Sequence, residues 1–187
     1  MTAKCGKFQV LEKLWERAKE LQLKPEELRK VVFLSKGNLN NTAWHMALEE
    51  GNFKVLDKLW EWAKEQQLKP EELRNWVLLS KANLNNTAWN IVTQTGNFEL
   101  LENLWRWAKE LQLKPEELRN ELLLSKDNLY NTAWNIATQT CKFELLENLW
   151  GWATELQLNP EELRNEVLLS KDDLNITACN IVLKGQL

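Results

Sequence analysis

Proline recurs at positions 25, 70, 115 and 160, always 45 residues apart. Trp15, Trp60, Trp105 and Trp150 keep the same interval, as does the pair Thr-Ala beginning at 42, 87, 132 and 177. Residues 51–95 and 96–140 differ at 11 of 45 positions, with no residue gained or lost between them. Near-copies at a fixed period do not share one layered core. Each unit has to bury its apolar faces against its neighbours, which is the logic of a solenoid. The reading is one repeat domain over 1–187, with units of about 1–50, 51–95, 96–140 and 141–187.

Within a unit the pattern predicts three helices and a turn, so the expected class is all-α with short hairpin-like loops. The first helix is Thr-Ala-Trp-Asn-Ile-Ala-Thr-Gln-Thr in the copy at 132–140. Thr is a good N-cap, and Gly51 and Gly96 close two of the copies. The second runs from about Phe98 to Leu111. Leu101, Leu104, Trp105, Ala108 and Leu111 fall on one helical stripe, and Leu100, Leu104, Trp107 and Leu111 on an adjoining one. That face is too wide for a helix covered on one side only. The third opens at Lys114-Pro115-Glu116-Glu117, with Pro suited to the first helical position and acids to the positive helix end. It is expected to cover the Trp107 side. Ser-Lys-Asp-Asn-Leu-Tyr-Asn then reads as a turn.

Composition narrows the function classes. Lys plus Arg number 24 against 27 Asp plus Glu, a net charge of −3, which argues against a general nucleic-acid binder. An apolar fraction of 44% at low net charge argues against disorder. Eleven Trp against one Tyr is the skew that duplication of a Trp-bearing unit leaves. Cys5, Cys141 and Cys179 are odd in number and form no paired motif, so free thiols in a reducing compartment are expected. No apolar run is long enough for a membrane helix or a leader peptide. The expected location is cytoplasmic, or otherwise intracellular, including the nucleus.

Thr42-Ala43-Trp44-His45-Met46-Ala47, followed by Gly51 nine residues after the Thr, resembles the ankyrin repeat pattern T-P-L-H-x-A. Phe53–Trp60 resembles the second ankyrin helix, and Asp127–Asn131 sits where the hairpin tip D-x-x-G-x falls. An ankyrin period is about 33 residues, so a 45-residue unit holds about 12 more. Those are the Pro-Glu-Glu-Leu-Arg-Asn helix. The resemblance covers about three quarters of each unit and implies an ankyrin-like solenoid of about four units. The departures are specific. Ala43 stands for Pro, Trp44, Trp89 and Trp134 for Leu, and Asn90, Asn135 and Asn180 for His. The hairpin Gly becomes Asn40, Asn85, Tyr130 and Asn175, and Cys141 replaces an inter-helix Gly. Asn tolerates a left-handed backbone and Tyr does not fit it easily. HEAT and armadillo repeats have periods near this one and are the alternative.

No catalytic constellation is visible. His45 is the single histidine and occupies an ankyrin-like structural position. The repeated acid pairs, Glu26-Glu27 and their copies, complement a helix dipole. Arg29, Arg74, Arg119 and Arg164 are expected to form ion-pair ladders between units. Neither metal nor cofactor is implied. Trp15, Trp60, Trp105 and Trp150 read as core, with Trp62, Trp107 and Trp152 behind them. Trp76 aligns with Val31, Glu121 and Glu166, so the position reads as exposed, and Trp76 as either a candidate contact or a partly buried edge residue.

Ankyrin repeats bind through hairpin tips and the concave face of their first helices. By that resemblance the candidate partner-binding residues are Asn40, Asn85, Tyr130, His45, Glu49, Asn90, Gln94, Asn135 and Gln139, together with Trp76. The expected function is a non-catalytic interaction scaffold for an unidentified protein or peptide. The first unit enters after most of its first helix, and helix 8–21 keeps Val10, Leu11, Leu14, Trp15 and Leu21 without a polar cap. A self-associating array with uncapped ends, or an engineered scaffold without a natural ligand, is the alternative.

Overall fold

The structure is a computed structural model and describes residues 3–37, 41–82, 86–127, 129–169 and 171. It is helical, with no strand among the described residues. Helices α1 (Ala3–Glu20) and α2 (Pro25–Val32) are followed by α3 (Ala43–Glu49), α4 (Phe53–Glu65) and α5 (Pro70–Arg74). Next come α6 (Ala88–Thr95), α7 (Phe98–Glu110), α8 (Pro115–Glu117), α9 (Ala133–Gln139), α10 (Phe143–Glu155) and α11 (Pro160–Glu162). None of these is long and apolar enough to cross a membrane.

The repetition of sequence is also one of structure. α3, α6 and α9 hold the Thr-Ala-Trp register, and α4, α7 and α10 hold the broad apolar face. The short first helices lie between neighbours: α6 packs on α3, α7 and α9. Thr87 caps α6 by accepting from the Asn90 backbone N–H at 3.4 Å. Gly51 and Gly96 leave their helices with φ of 61° and 67°, the left-handed turn that a side chain disfavours. Cys141 makes the same turn at φ 52°, and Tyr130 stands at φ 61°. Tyr130 therefore takes a left-handed turn despite its ring. Asp127 holds that turn, its Oδ1 accepting from the Leu129 and Asn131 backbone N–H groups, both at 2.8 Å.

α1 departs from the pattern. It runs helically through Gly6, where the equivalent Gly51 and Gly96 break the chain. The second helices end on glutamines, a residue type not expected in a left-handed turn. Gln22, Gln67, Gln112 and Gln157 take φ between 50° and 54°. The Gln112 N–H donates to the Lys109 carbonyl at 2.9 Å, and the Leu113 N–H to the Ala108 carbonyl at 3.2 Å. This is the pairing of a Schellman end with Gln in the place where Gly is usual.

α2 is α-helical throughout, whereas in the later units the third helix is α-helical for one turn or little more and then widens. Asn75–Leu79, Leu118–Leu123 and Leu163–Leu168 are π-helical. The Leu124 and Leu169 N–H groups reach the carbonyls of Arg119 and Arg164, five residues back, both at 2.9 Å. The wider turn turns successive residues inward, and Trp76, Val77 and Leu78 are all buried. In the first unit the residue that ends the third helix does not lie on the side the sequence assigned to that helix. Phe33, which follows α2, meets Trp15 at 6.3 Å, the register of Trp105, and reaches Trp76 in the next unit at 4.6 Å. The Trp107 register points to the preceding unit instead.

Tryptophan stacks tie the units together. Trp15 lies on Trp62 at 4.4 Å, Trp60 on Trp107 at 5.2 Å and Trp105 on Trp152 at 4.8 Å, with rings within 24° of parallel. Each pair joins one second helix to the next. Trp150, the fourth of the series, is not core: it is 50% exposed. Among the described residues no ring stacks face to face on it as Trp62 does on Trp15, and Trp134 meets it edge-on at 6.3 Å.

Candidate functional site

The candidate residues separate into buried and exposed sets. His45, Asn90 and Asn135 are buried, which corrects their placing on an open concave face. They cap their own helices from within. The Asn90 Oδ1 accepts from the Thr87 N–H at 3.1 Å and from the Thr87 hydroxyl at 2.8 Å. Asn135 does the same with Thr132, at 2.9 and 2.8 Å. At His45 the acceptor is Nδ1, 3.2 Å from the Thr42 N–H and 2.9 Å from its hydroxyl. The proton therefore sits on Nε2, which donates to the Ser80 carbonyl at 3.1 Å. An amide and a neutral imidazole thus offer one acceptor and one donor in the same two directions.

Burial holds the His45 pKa below the usual histidine value. The Ser80 carbonyl and Glu49 pull it up, and Lys36 pushes it down. A proton added to Nδ1 would also face two donors from Thr42. With the folded pKa depressed, the unfolded chain binds more protons over the window below about 6.5. Stability is full above that value and falls as the pH drops through the window towards the folded pKa. His45→Asn, the residue found at positions 90 and 135, is expected to flatten this slope. Urea midpoints between about pH 5 and pH 7.5 measure it. An identical slope in both proteins would remove His45 as its source.

Trp76 is also corrected. It is 4% exposed, packed edge-on against Phe33 and 5.0 Å from Trp44. The position takes a ring where the facing residue of the preceding unit is Phe33. The equivalent positions one repeat later hold Leu78, which is buried, and Glu121, which is exposed.

Glu49, Gln94, Gln139 and Tyr130 are exposed. Asn40 and Asn85 lie outside the described residues. The exposed row belongs to a polar seam beside the turns. Asn41 donates to Glu49 at 2.9 Å, Asn86 to Gln94 at 3.5 Å, and Gln139 to Asn131 at 3.5 Å. Gln94 also donates to Asp127 of the next unit at 3.2 Å. Tyr130, 63% exposed, and Leu129 stand next to Asn131 and add apolar area to the seam.

The acid pairs and arginines form one device. The second acid of each pair accepts from the backbone N–H three residues earlier: Glu27 from Lys24, Glu72 from Lys69, Glu117 from Lys114 and Glu162 from Asn159, each at 2.9 Å. Three of these carboxylates also reach the preceding unit. Arg29 meets Glu72 at 3.6 Å, and Arg74–Glu117 and Arg119–Glu162 close to 2.6 Å. Helix capping and inter-unit pairing share one side chain. An open polar hollow of about 210 Å³, lined by Arg119, Asn159, Glu161, Glu162 and Asn165, is part of this ladder. No group of three or more His, Cys, Asp or Glu side chains among the described residues is placed to hold a metal ion. The chain matches no protein-family profile, and no curated protein shows significant similarity to it.

Proposed function

We propose that the chain is a non-catalytic, ankyrin-like repeat scaffold that binds another protein or peptide, inside the cell, along the seam beside its turns. The observation that carries this reading is the exposed row Glu49, Gln94 and Gln139, set at the repeat interval and continuous with Tyr130 and Leu129. The row is held by hydrogen bonds within and between units, so little side-chain freedom is lost when a partner docks. Its amides offer both donors and acceptors. Tyr130 supplies a rigid amphipathic ring of the kind that anchors interfaces.

The buried caps beneath this row fix its spacing and take no direct part in contact. A photo-crosslinking amino acid at position 130 or 139 is expected to give one defined protein adduct in cells. The same group at the exposed position of Glu99, at the start of α7, is expected to give none. No adduct at either seam position, or the same adducts at all three, would sink the reading.

A further inference from the structure

We infer that the third helix of the inner units is a two-state joint, in which one carbonyl near its end exchanges one hydrogen-bond donor for another, and that the residue at position 45 or 90 decides which form is taken. This goes beyond the lateral surface proposed above and does not depend on it.

Near-identical helices in this chain widen at different places. After α2 the change comes at the very end, where the Phe33 and Leu34 N–H groups both reach the Arg29 carbonyl, at 3.0 and 3.3 Å. After α5 the wide turns span Asn75–Leu79, and after α8 they span Leu118–Leu123. Asn75 aligns with Asn120, so the second segment begins two positions earlier in the repeat. The entry is the same in both, the Leu73 and Leu118 N–H groups reaching the Lys69 and Lys114 carbonyls at 3.0 Å. A helix with a constant entry and a wide turn that moves holds one residue more than an α-helix of that span needs.

The exchange is at the carbonyl of Val77 and of its equivalent, Leu122. In the first form the Trp44 indole N–H donates to the Val77 carbonyl at 3.0 Å, and the chain leaves extended at Ser80, with φ −64° and ψ 138°. In the second the Ser125 N–H takes the Leu122 carbonyl at 3.2 Å. The Trp89 indole N–H, buried at the place of Trp44, then has no partner among the described residues. The same carbonyl is engaged by a neighbouring helix in one form and by its own chain in the other.

The selector is the buried cap on the adjoining first helix. His45 Nε2 donates to the Ser80 carbonyl at 3.1 Å. The Ser80 hydroxyl lies at the same distance from that nitrogen and donates to the Trp76 carbonyl. An imidazole carries this donor one bond farther from the backbone than an amide does, so Asn90 Nδ2 stops at the Ser125 hydroxyl, 3.4 Å away. His45 therefore holds its serine out of the helix and leaves the Val77 carbonyl to Trp44, whereas Asn90 lets its serine fold back. Two residues further on, the Ala82 and Asp127 N–H groups close their turns on the Asn86 and Asn131 carbonyls, both at 2.9 Å. The joint ends where the polar seam begins, so its state sets how each turn is presented.

Magnetic-resonance couplings across N–H···O=C bonds, read on the whole chain, test the inference. The wild type is expected to show a coupling from the Trp44 indole nitrogen to the Val77 carbonyl and none from Trp89 to Leu122. Asn90→His is expected to create the Trp89–Leu122 coupling. His45→Asn is expected to abolish that of Trp44 and to couple the Ser80 N–H to Val77 instead. Far-UV circular dichroism confirms that both variants are folded. The spare residue is tested by deletion. Removing Asn120, which is exposed, leaves Leu124 four residues after Arg119, so the bond between them at 2.9 Å becomes an α turn. That variant is expected to keep a cooperative urea transition. Removing the exposed Arg106 from α7, where no residue is spare, is expected to abolish it. An indole coupling that either substitution leaves unchanged, or a deletion of Asn120 as damaging as that of Arg106, would overturn the inference.

Discussion

Trp107→Ala is expected to destabilise the protein by about 3–5 kcal/mol, the range for removing a large aromatic side chain from a packed core. Trp107 is buried, stacks on Trp60 at 5.2 Å and meets Trp44 at 5.3 Å, so one truncation breaks two ring contacts between units. Each such pair adds about 0.5–1.5 kcal/mol beyond area burial. The control is Arg17→Ala at the same repeat position. Arg17 is exposed and forms only an i,i+3 pair with Glu20, so its removal is expected to change stability by less than about 0.5 kcal/mol. Urea denaturation followed by far-UV circular dichroism avoids reading the altered Trp fluorescence as unfolding. A shallower transition in Trp107→Ala would show that the array separates at this junction, since repeat arrays lose cooperativity where a neighbour contact fails. A loss below about 1.5 kcal/mol would mean that the ring stacks do not couple the units.

Much of the helical architecture was legible because the period repeats each punctuation mark. Thr at the start of α6, Gly96 at its end and Pro115 at the start of α8 act through the local backbone, and each behaves as its chemistry dictates. The arginine ladder was legible for a related reason: an acid and a base at constant offset must meet if the units stack in register. What failed was the assignment of faces. α6 is eight residues long and lies between neighbours, so residues 88–93 are all buried and no amphipathic stripe exists to be read. Asn90 looked like a surface amide because its polarity is satisfied by Thr87, three residues back, rather than by water.

Trp76 misled through its own repeats. Alignment with Glu121 suggested exposure, but Trp76 is buried by the rings of Phe33 and Trp44, which an alignment of equivalent positions does not register. The comparison needed was between units offset by one, not between equivalent positions. Trp150 shows the converse. Its local sequence is that of Trp105, but Trp105 is covered by the stacked Trp152, whereas among the described residues no ring stacks on Trp150, which is half exposed. The left-handed glutamines had one usable signal, the leucine that follows at 23, 68, 113 and 158, since an apolar residue there seals a Schellman end.

The buried caps supply the second large effect. Asn90→Leu is expected to cost about 3 kcal/mol although the two side chains are similar in size and leucine suits a core. The loss is polar. Leucine leaves the Thr87 N–H and hydroxyl, both buried, without the carbonyl oxygen that accepts from them at 3.1 and 2.8 Å. An abandoned buried donor costs about 1–3 kcal/mol, and water cannot reach this one. Asn90→His should cost under about 1 kcal/mol, because His45 shows that an imidazole Nδ1 accepts from the same two threonine groups. The pair of variants separates two explanations for the residue. If Asn90 were placed for partner contact, leucine and histidine would both leave stability near wild type and change binding alone. If the amide is an internal cap, leucine lowers the urea midpoint and histidine largely preserves it. Equal losses for both would indicate that the site senses volume rather than hydrogen bonding. The seam above, Glu49 through Gln139, would then owe its spacing to packing instead of to the caps beneath it.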